Sequence, residues 1–244
     1  MWIYGHNPVL EALRQQEVHQ VLVADGVKAG RMRELSKAAR QAGVATRTVP
    51  RIELDRALGT TAHQGVAAEL PELHYADLED AFARADARQE PPLLLLLDQV
   101  QDPRNYGAII RSAEVLGAHG VVTESRRSAP LSAVVSKTSA GAASHLPLIQ
   151  VANLANLLRS LKERGVWVYG ADAAGASRPE EVDWDRPVAL VIGSEGTGLR
   201  RLTKASCDEL VRIPTHGTVA SLNASVATGV LLYAVRIGRG PARS

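Results

Sequence analysis

The chain is poor in the residues that staple or decorate small folds. Its one cysteine, Cys207, excludes a disulfide framework and a multi-cysteine zinc site. A single thiol fits a reducing cytoplasm. Aromatic residues make up 4% of the sequence, too few for a base-stacking platform spread over a sheet. The longest strictly aliphatic run, Leu93–Leu97, is far shorter than a membrane span, and Met1–Leu10 has no basic stretch leading into an apolar core. Neither a membrane partner nor an export signal is therefore expected. Charge of one sign is scarce as well: 28 Lys and Arg stand against 26 Asp and Glu, a net charge of +2, which does not announce a nucleic-acid binder. Only five of the cations are lysines, leaving 23 arginines. Arginine's planar fork suits phosphates and stacked bases, although a GC-rich genome enriches it equally.

What is present is ample apolar material. Forty-five per cent of 244 residues are hydrophobic, enough to offset chain entropy and build one or two compact domains. The stretch Glu72–Gln89 is charged and Ala-rich and runs into Pro91-Pro92. A proline pair opposes helix continuation. We read residues 72–91 as a linker, partly helical over Leu78–Ala87, between a domain at 1–71 and a second at 92–244. The first alternates helices (Asn7–Gln15, Ala29–Ala42, Arg51–Leu58) with strands (Val21–Ala24, Val44–Val49, Gly65–Leu70), the pattern of a small α/β sandwich. Asn7 is a plausible cap for its first helix.

The second part repeats the alternation on a larger scale. Leu93–Asp98 reads as a buried parallel strand. Strands at Gly120–Thr123, Val166–Ala171, Val188–Ile192 and Glu209–Ile213 alternate with helices at Tyr106–Leu116, Ser132–Ala143, Leu154–Arg164, Leu199–Ala205 and Asn223–Ile237. This is an open parallel sheet with helices on both faces, in which ligands gather at the carboxyl ends of the strands.

Three polar segments sit at such ends. The first, Leu97 to Ala113, places Asn105 at a helix start and Arg111 nearly two turns on, just after apolar Ala108, Ile109 and Ile110. An arginine emerging from a buried segment wants an anionic partner. The second, Val191 to Leu199, has glycines at 193, 196 and 198, which permit tight turns and close backbone approach to a ligand. It is neither a Rossmann fingerprint nor a Walker A loop, and Glu195 within it would repel a phosphate. The third, Ile213 to Ala227, turns through His216 and opens the last helix at Ser221 or Asn223. Taken singly, each has an ordinary explanation: an N-cap asparagine, a strand–turn–helix joint, an N-cap serine.

Together, in this order and at these separations, the three resemble the motifs of the SpoU/TrmH family of RNA 2′-O-ribose methyltransferases. The resemblance extends to Ile3–Val9, His63–Val66 and Lys137–Ala142, which are similar to the RlmB-like branch, and so covers nearly the whole chain. It implies a SPOUT α/β fold whose parallel sheet carries a deep C-terminal trefoil knot, preceded by a small α/β RNA-binding domain like ribosomal protein L30e. It implies S-adenosylmethionine as cofactor, no metal, a homodimer with active sites near the interface, a cytoplasmic location, and methylation of a guanosine ribose in large-subunit rRNA. By motif position, the catalytic residues would be Asn105, Arg111, Glu195, Ser221 and Asn223. Arg111 would bind the adjacent phosphate and steady the forming alkoxide, with Asn105 and Glu195 orienting it and the ribose. Gly193, Gly198, Ile213, Ser221 and Leu222 would hold the cofactor. The chain departs from the family pattern at Thr215, at Ala224, and in a C-terminal Gly238–Ser244 segment without an arginine-rich tail. The alternatives are the same chemistry on tRNA or another rRNA site, and a non-catalytic RNA-binding protein.

Overall fold

The computed structural model describes residues 1–15, 18–218 and 221–240. The chain divides into two compact units, Met1–Leu73 and His74–Ser244.

The first unit runs β1 (Trp2–Tyr4), α1 (His6–Gln15), β2 (Gln20–Ala24), α2 (Ala29–Gln41), β3 (Ala45–Val49), α3 (Arg51–Leu58), β4 (Val66–Glu69). Its sheet has the order β1-β4-β2-β3, with β2 and β3 parallel and β4 antiparallel to both its neighbours. Helix α1 begins at His6, behind Gly5 at φ +97°, so Asn7 lies inside the helix and is not its cap. The turn into β4 is locked by His63, which is fully buried: its Nδ1 accepts from the Gly65 backbone at 3.0 Å and its Nε2 meets Asp55 at 2.7 Å. Gly65 takes φ +79°, a conformation that favours glycine.

The second unit starts earlier than the sequence reading placed it. Residues 74–91 are not a free linker. Helix α4 (Leu78–Ala87) buries Ala81 and Ala85 completely, and Leu78 and Phe82 pack on the core. Two alanines four apart form a flat stripe that lets the helix sit close to the sheet. After it come β5 (Leu93–Asp98), α5 (Pro103–Val115), β6 (Gly120–Glu124), α6 (Ala133–Ser139), β7 (Leu148–Val151) and α7 (Leu154–Glu163). The chain then continues through β8 (Trp167–Ala171), β9 (Val188–Gly193), α8 (Arg201–Ser206), β10 (Glu209–Val211) and α9 (Ala224–Gly238). The helix expected over Ser132–Ala143 stops at Ser139, because Ala140 and Gly141 both take positive φ.

The sheet of this unit is six-stranded and parallel, in the order β10-β8-β9-β5-β6-β7. Leu94 and Leu96 face one side, against Leu154, Leu157, Leu158 and Leu161 of α7. Leu93, Leu95 and Leu97 alternate to the other side, where α5 and α9 pack on each other. From β5 the chain winds outward through β6 and β7, then returns to lay β9 on the opposite flank of β5. That reversal is a topological switch point, the place where open α/β sheets bind ligands. The end of α9 is tied down by two arginines. Arg236 pairs with Glu90, and the Arg239 guanidinium donates to the carbonyls of Pro91, Pro92, Trp184 and Arg186.

Candidate active site

At the switch point the paired strand ends are Asp98 of β5 and Gly193 of β9. Beyond β9 the chain folds back on itself. The Gly198 backbone donates to the Ser194 carbonyl at 3.0 Å, and the Ser194 and Thr197 hydroxyls meet at 2.6 Å. Gly196 and Gly198 take φ +85° and +65°, and a Cβ on Gly193 would collide with the Gly198 backbone. The glycines are therefore needed for the turn itself, and the turn presents Glu195 outward.

The loop is anchored just downstream. Asp98, fully buried, accepts from the Arg200 backbone at 2.8 Å and from its guanidinium, which also reaches Glu124 at 2.7 Å. Burial alone would make the guanidinium easier to deprotonate. The two carboxylates outweigh it and hold the Arg200 pKa above its ordinary value.

Three side chains far apart in sequence converge on this loop. Asn223 caps α9: its Oδ1 accepts from the Ser225 and Val226 backbones at 2.9 and 3.3 Å. That fixes the amide, so its Nδ2 faces the loop and donates to Glu195 Oε1 and to Asn105 Oδ1, the latter at 3.1 Å. Asn105 Nδ2 donates to the same Glu195 oxygen at 2.8 Å. Asn105 itself is not a cap. Asp102 performs that task, accepting from the Arg104 backbone at 2.8 Å, and Pro103 follows at the first turn. Glu195 is thus held through Oε1, while its Oε2 has no partner among the described residues.

Two cavities share this carboxylate in their walls. One, of about 370 Å³, is lined by Gly193, Gly198, Ile213, Ser221 and Leu222, all the residues expected to hold a cofactor. Glu195 and Asp172 add negative charge to its wall. Asp172, at the end of β8, is paired with Lys204 at 2.9 Å. It was missed because no motif contains it; only its position at a strand end marks it. The other cavity, of about 300 Å³, is lined by Gln99, Gln101, Asp102, Asn105 and Glu195.

Arg111 stands apart. It is exposed rather than buried, and among the described residues it has no hydrogen-bond or ion-pair partner. Six residues of helix separate it from Asn105, about 9 Å along the axis and onto a different face. The structure therefore does not bring Arg111 to Asn105 and Glu195. Ser221 lines the first cavity but, among the described residues, makes no hydrogen bond to the Asn105–Glu195–Asn223 cluster; Val219 and Ala220 of the third motif, and the tail from Pro241, lie outside the described residues. His216 is exposed. Cys207 is a packing residue, half-buried with its thiol on the Thr203 carbonyl, and burial pushes its pKa up to about 12. Among the described residues no group of three His, Cys, Asp or Glu could hold a metal ion, and no helix is long and apolar enough to cross a membrane.

Comparison with known proteins adds a family to this geometry. Residues 92–233 match the model of the SpoU rRNA methylase family, and residues 2–76 match that of the RNA 2′-O ribose methyltransferase substrate-binding domain. YacO of Bacillus subtilis (strain 168), classed with the TrmH family tRNA/rRNA methyltransferases, is 41% identical over 241 residues, which cover 98% of this chain and 96% of YacO. An uncharacterized tRNA/rRNA methyltransferase of Mycobacterium ulcerans (strain Agy99) is 44% identical over 232 residues, 94% of this chain and 74% of that protein. Among solved structures, the SpoU methyltransferase AviRb from Streptomyces viridochromogenes, crystallised in complex with AdoMet, superposes with a TM-score of 0.71 at 26% identity. The match covers 98% of this chain and 90% of AviRb.

Proposed function

Because this chain belongs to the SpoU rRNA methylase family, we propose that it methylates a guanosine ribose 2′-hydroxyl in large-subunit rRNA, using S-adenosylmethionine, in the cytoplasm. The observation that carries the chemistry is the Asn105–Glu195–Asn223 cluster, beside two cavities that share Glu195 at the sheet's switch point. The first cavity fits the cofactor. Its glycine turn leaves backbone exposed, Ile213 and Leu222 offer apolar walls for an adenine, and Asp172 and Glu195 suit a cationic ligand. When bound, the cofactor supplies an electrophilic methyl group on a sulfonium.

The protein's own share is positioning and proton handling. A ribose hydroxyl is a weak nucleophile until its proton is drawn away. Glu195 Oε2, held in place through Oε1 by two amides, accepts a hydrogen bond from that hydroxyl and orients its oxygen. Holding reactants near 3 Å and aligned supplies much of the rate. Ser221 completes the rim. Arg111, permanently cationic, binds the neighbouring phosphate with its fork and steadies the developing alkoxide.

Arg111's distance from Glu195 is reconciled by a homodimer. Helix α9 exposes Val226, Val230, Tyr233 and Ile237, a stripe along one face, and α5 exposes Val115 one turn beyond Arg111 on the same face. Covering this apolar surface with a second copy sets Arg111 at the interface, beside the partner's site. The same reading gives the unit at Met1–Leu73 the task of holding RNA, and assigns the family's trefoil knot to the unit at His74–Ser244.

The test is methyl transfer from labelled S-adenosylmethionine to purified rRNA and tRNA pools, followed by mapping of the modified nucleotide. Label on a large-subunit guanosine is expected. Label confined to tRNA overturns the substrate, and no label on any RNA overturns the activity.

A further inference from the structure

The second cavity includes two residues of the first polar segment, Gln99 and Gln101, that have no part in the reading above. It shares Ser194, Glu195, Thr197 and Ala224 with the first cavity, and the loop between β5 and α5 together with Asn105 builds the rest. We propose that it is a pocket for the extruded target nucleoside, whose base is gripped on its hydrogen-bonding edge by the side-chain amides of Gln99 and Gln101. This deepens the reading above and rests on it.

Four observations support the assignment. The first is size: about 300 Å³ lies at the small end of ligand sites, right for one nucleoside and too small for two stacked ones. The second is charge. Asp102 and Glu195 line the cavity, so phosphates are kept out and a neutral group is admitted. The third is the lining. Neither Gln99 nor Gln101 has a hydrogen-bond partner among the described residues, although Gln99 is half-buried. Each amide offers both a donor and an acceptor, the pairing equipment a base edge requires. The fourth is the backbone at Gln99, which takes φ +64°. A non-glycine residue pays for that conformation, and such strain persists where surroundings over-determine it. Here it turns a glutamine, rather than the glycine that would suit the turn better, toward the cavity.

The geometry also orders the reactants. Glu195 lies in the wall common to both cavities, so a ribose hydroxyl bonded to it stands within reach of both. A base inside a duplex could not reach this pocket, and extrusion costs unstacking. The two glutamine amides offset that cost by pairing with the base edge.

The experiment uses Gln99→Gly and Gln101→Ala in the full-length protein. Gln99→Gly relieves the backbone strain, so loss of folding does not confound it. Methyl transfer to rRNA should lose ten- to a hundredfold in kcat/KM for RNA in each variant, with the dissociation constant for S-adenosylmethionine unchanged within twofold by calorimetry. Equal loss in both quantities, or in neither, overturns the proposal. A second arm needs no turnover. Guanosine, adenosine, cytidine and uridine are titrated into the wild-type protein loaded with S-adenosylhomocysteine, and the side-chain amide resonances of Gln99 and Gln101 are followed. Saturable shifts with at least one nucleoside support the pocket, and silence with all four overturns it. If the wild-type protein transfers methyl to no RNA, the reading above fails while this arm still decides the pocket.

Discussion

Asn223→Ser and Asn223→Ala should separate two roles that one side chain holds. In the structure Oδ1 caps α9 while Nδ2 donates to Glu195 and Asn105. Serine caps a helix about as well as asparagine, and alanine does not cap, costing about 1 kcal/mol. In a chain of this size that lowers the melting temperature by roughly 2–4 °C. Both variants lose the Nδ2 donations. One goes to a carboxylate, worth about 2 kcal/mol, and one to a neutral amide, worth about 1 kcal/mol. Together they amount to about 3 kcal/mol, or a hundredfold in kcat/KM. Thermal unfolding and single-turnover methyl transfer, run on the same preparations, read the two roles. The serine variant should melt roughly 2–4 °C above the alanine variant yet be as slow as it. If serine restores activity along with the melting temperature, Asn223 is a cap and nothing more, and the cluster does not act on the substrate.

Three further outcomes follow from the structure. Arg200→Met leaves Asp98 and Glu124 buried without their shared cation; urea unfolding should show a loss of about 3–5 kcal/mol. His119 is fully exposed to none of the solvent, accepts from the Leu93 backbone at 2.9 Å, and is pushed by burial down to about 4, against the opposing pull of Glu90. Its folded pKa lies below the unfolded value near 6.5, so its contribution is present above pH 6.5 and lost as pH falls toward 4. The wild type should therefore lose on the order of 2–3 kcal/mol more than His119→Gln between pH 7 and 4 in urea titrations, and parallel curves would contradict this. Tyr233, 60% exposed on the α9 stripe, tests the proposed dimer: the wild type should run as a dimer in light scattering and Tyr233→Glu as an inactive monomer, and a monomeric wild type or an active monomeric variant would remove Arg111 from a shared site.

Much of the fold could be read from the sequence, for physical reasons that differ by element. The run Leu93–Leu97 could only be a buried strand, and Leu154–Glu163 shows a clean apolar stripe, so both were recovered with near-correct ends. Strands β1 and β7 were not legible. They span three and four residues, and Leu148–Val151 carries too little alternation to stand out. The linker was misread because its alanines look like filler until something flat lies under them. At the site, the residues that line the first cavity were legible as glycine and asparagine signatures. The distance of Arg111 from Glu195 was not, since spacing along a helix says which face a residue is on but not what that face meets. Asp172 lies in no motif and Gln99 carries no role within its segment, and only the strand order shows that their strand ends flank the site.

The five consecutive leucines of β5 have a consequence for how the chain is made. They form the centre of the sheet, and Leu93 pairs with Val188, which is synthesised 95 residues later. At roughly 5–20 residues per second, an uncharged, strongly apolar segment waits about 5–20 s with one edge uncovered. Such segments template aggregation unless broken or flanked. This one is bracketed by Pro91-Pro92 on one side and Asp98 on the other. Prolines block strand extension, and a carboxylate opposes stacking. The residues that frame the catalytic unit in the finished protein thus also guard its most adhesive strand while the ribosome is still at work.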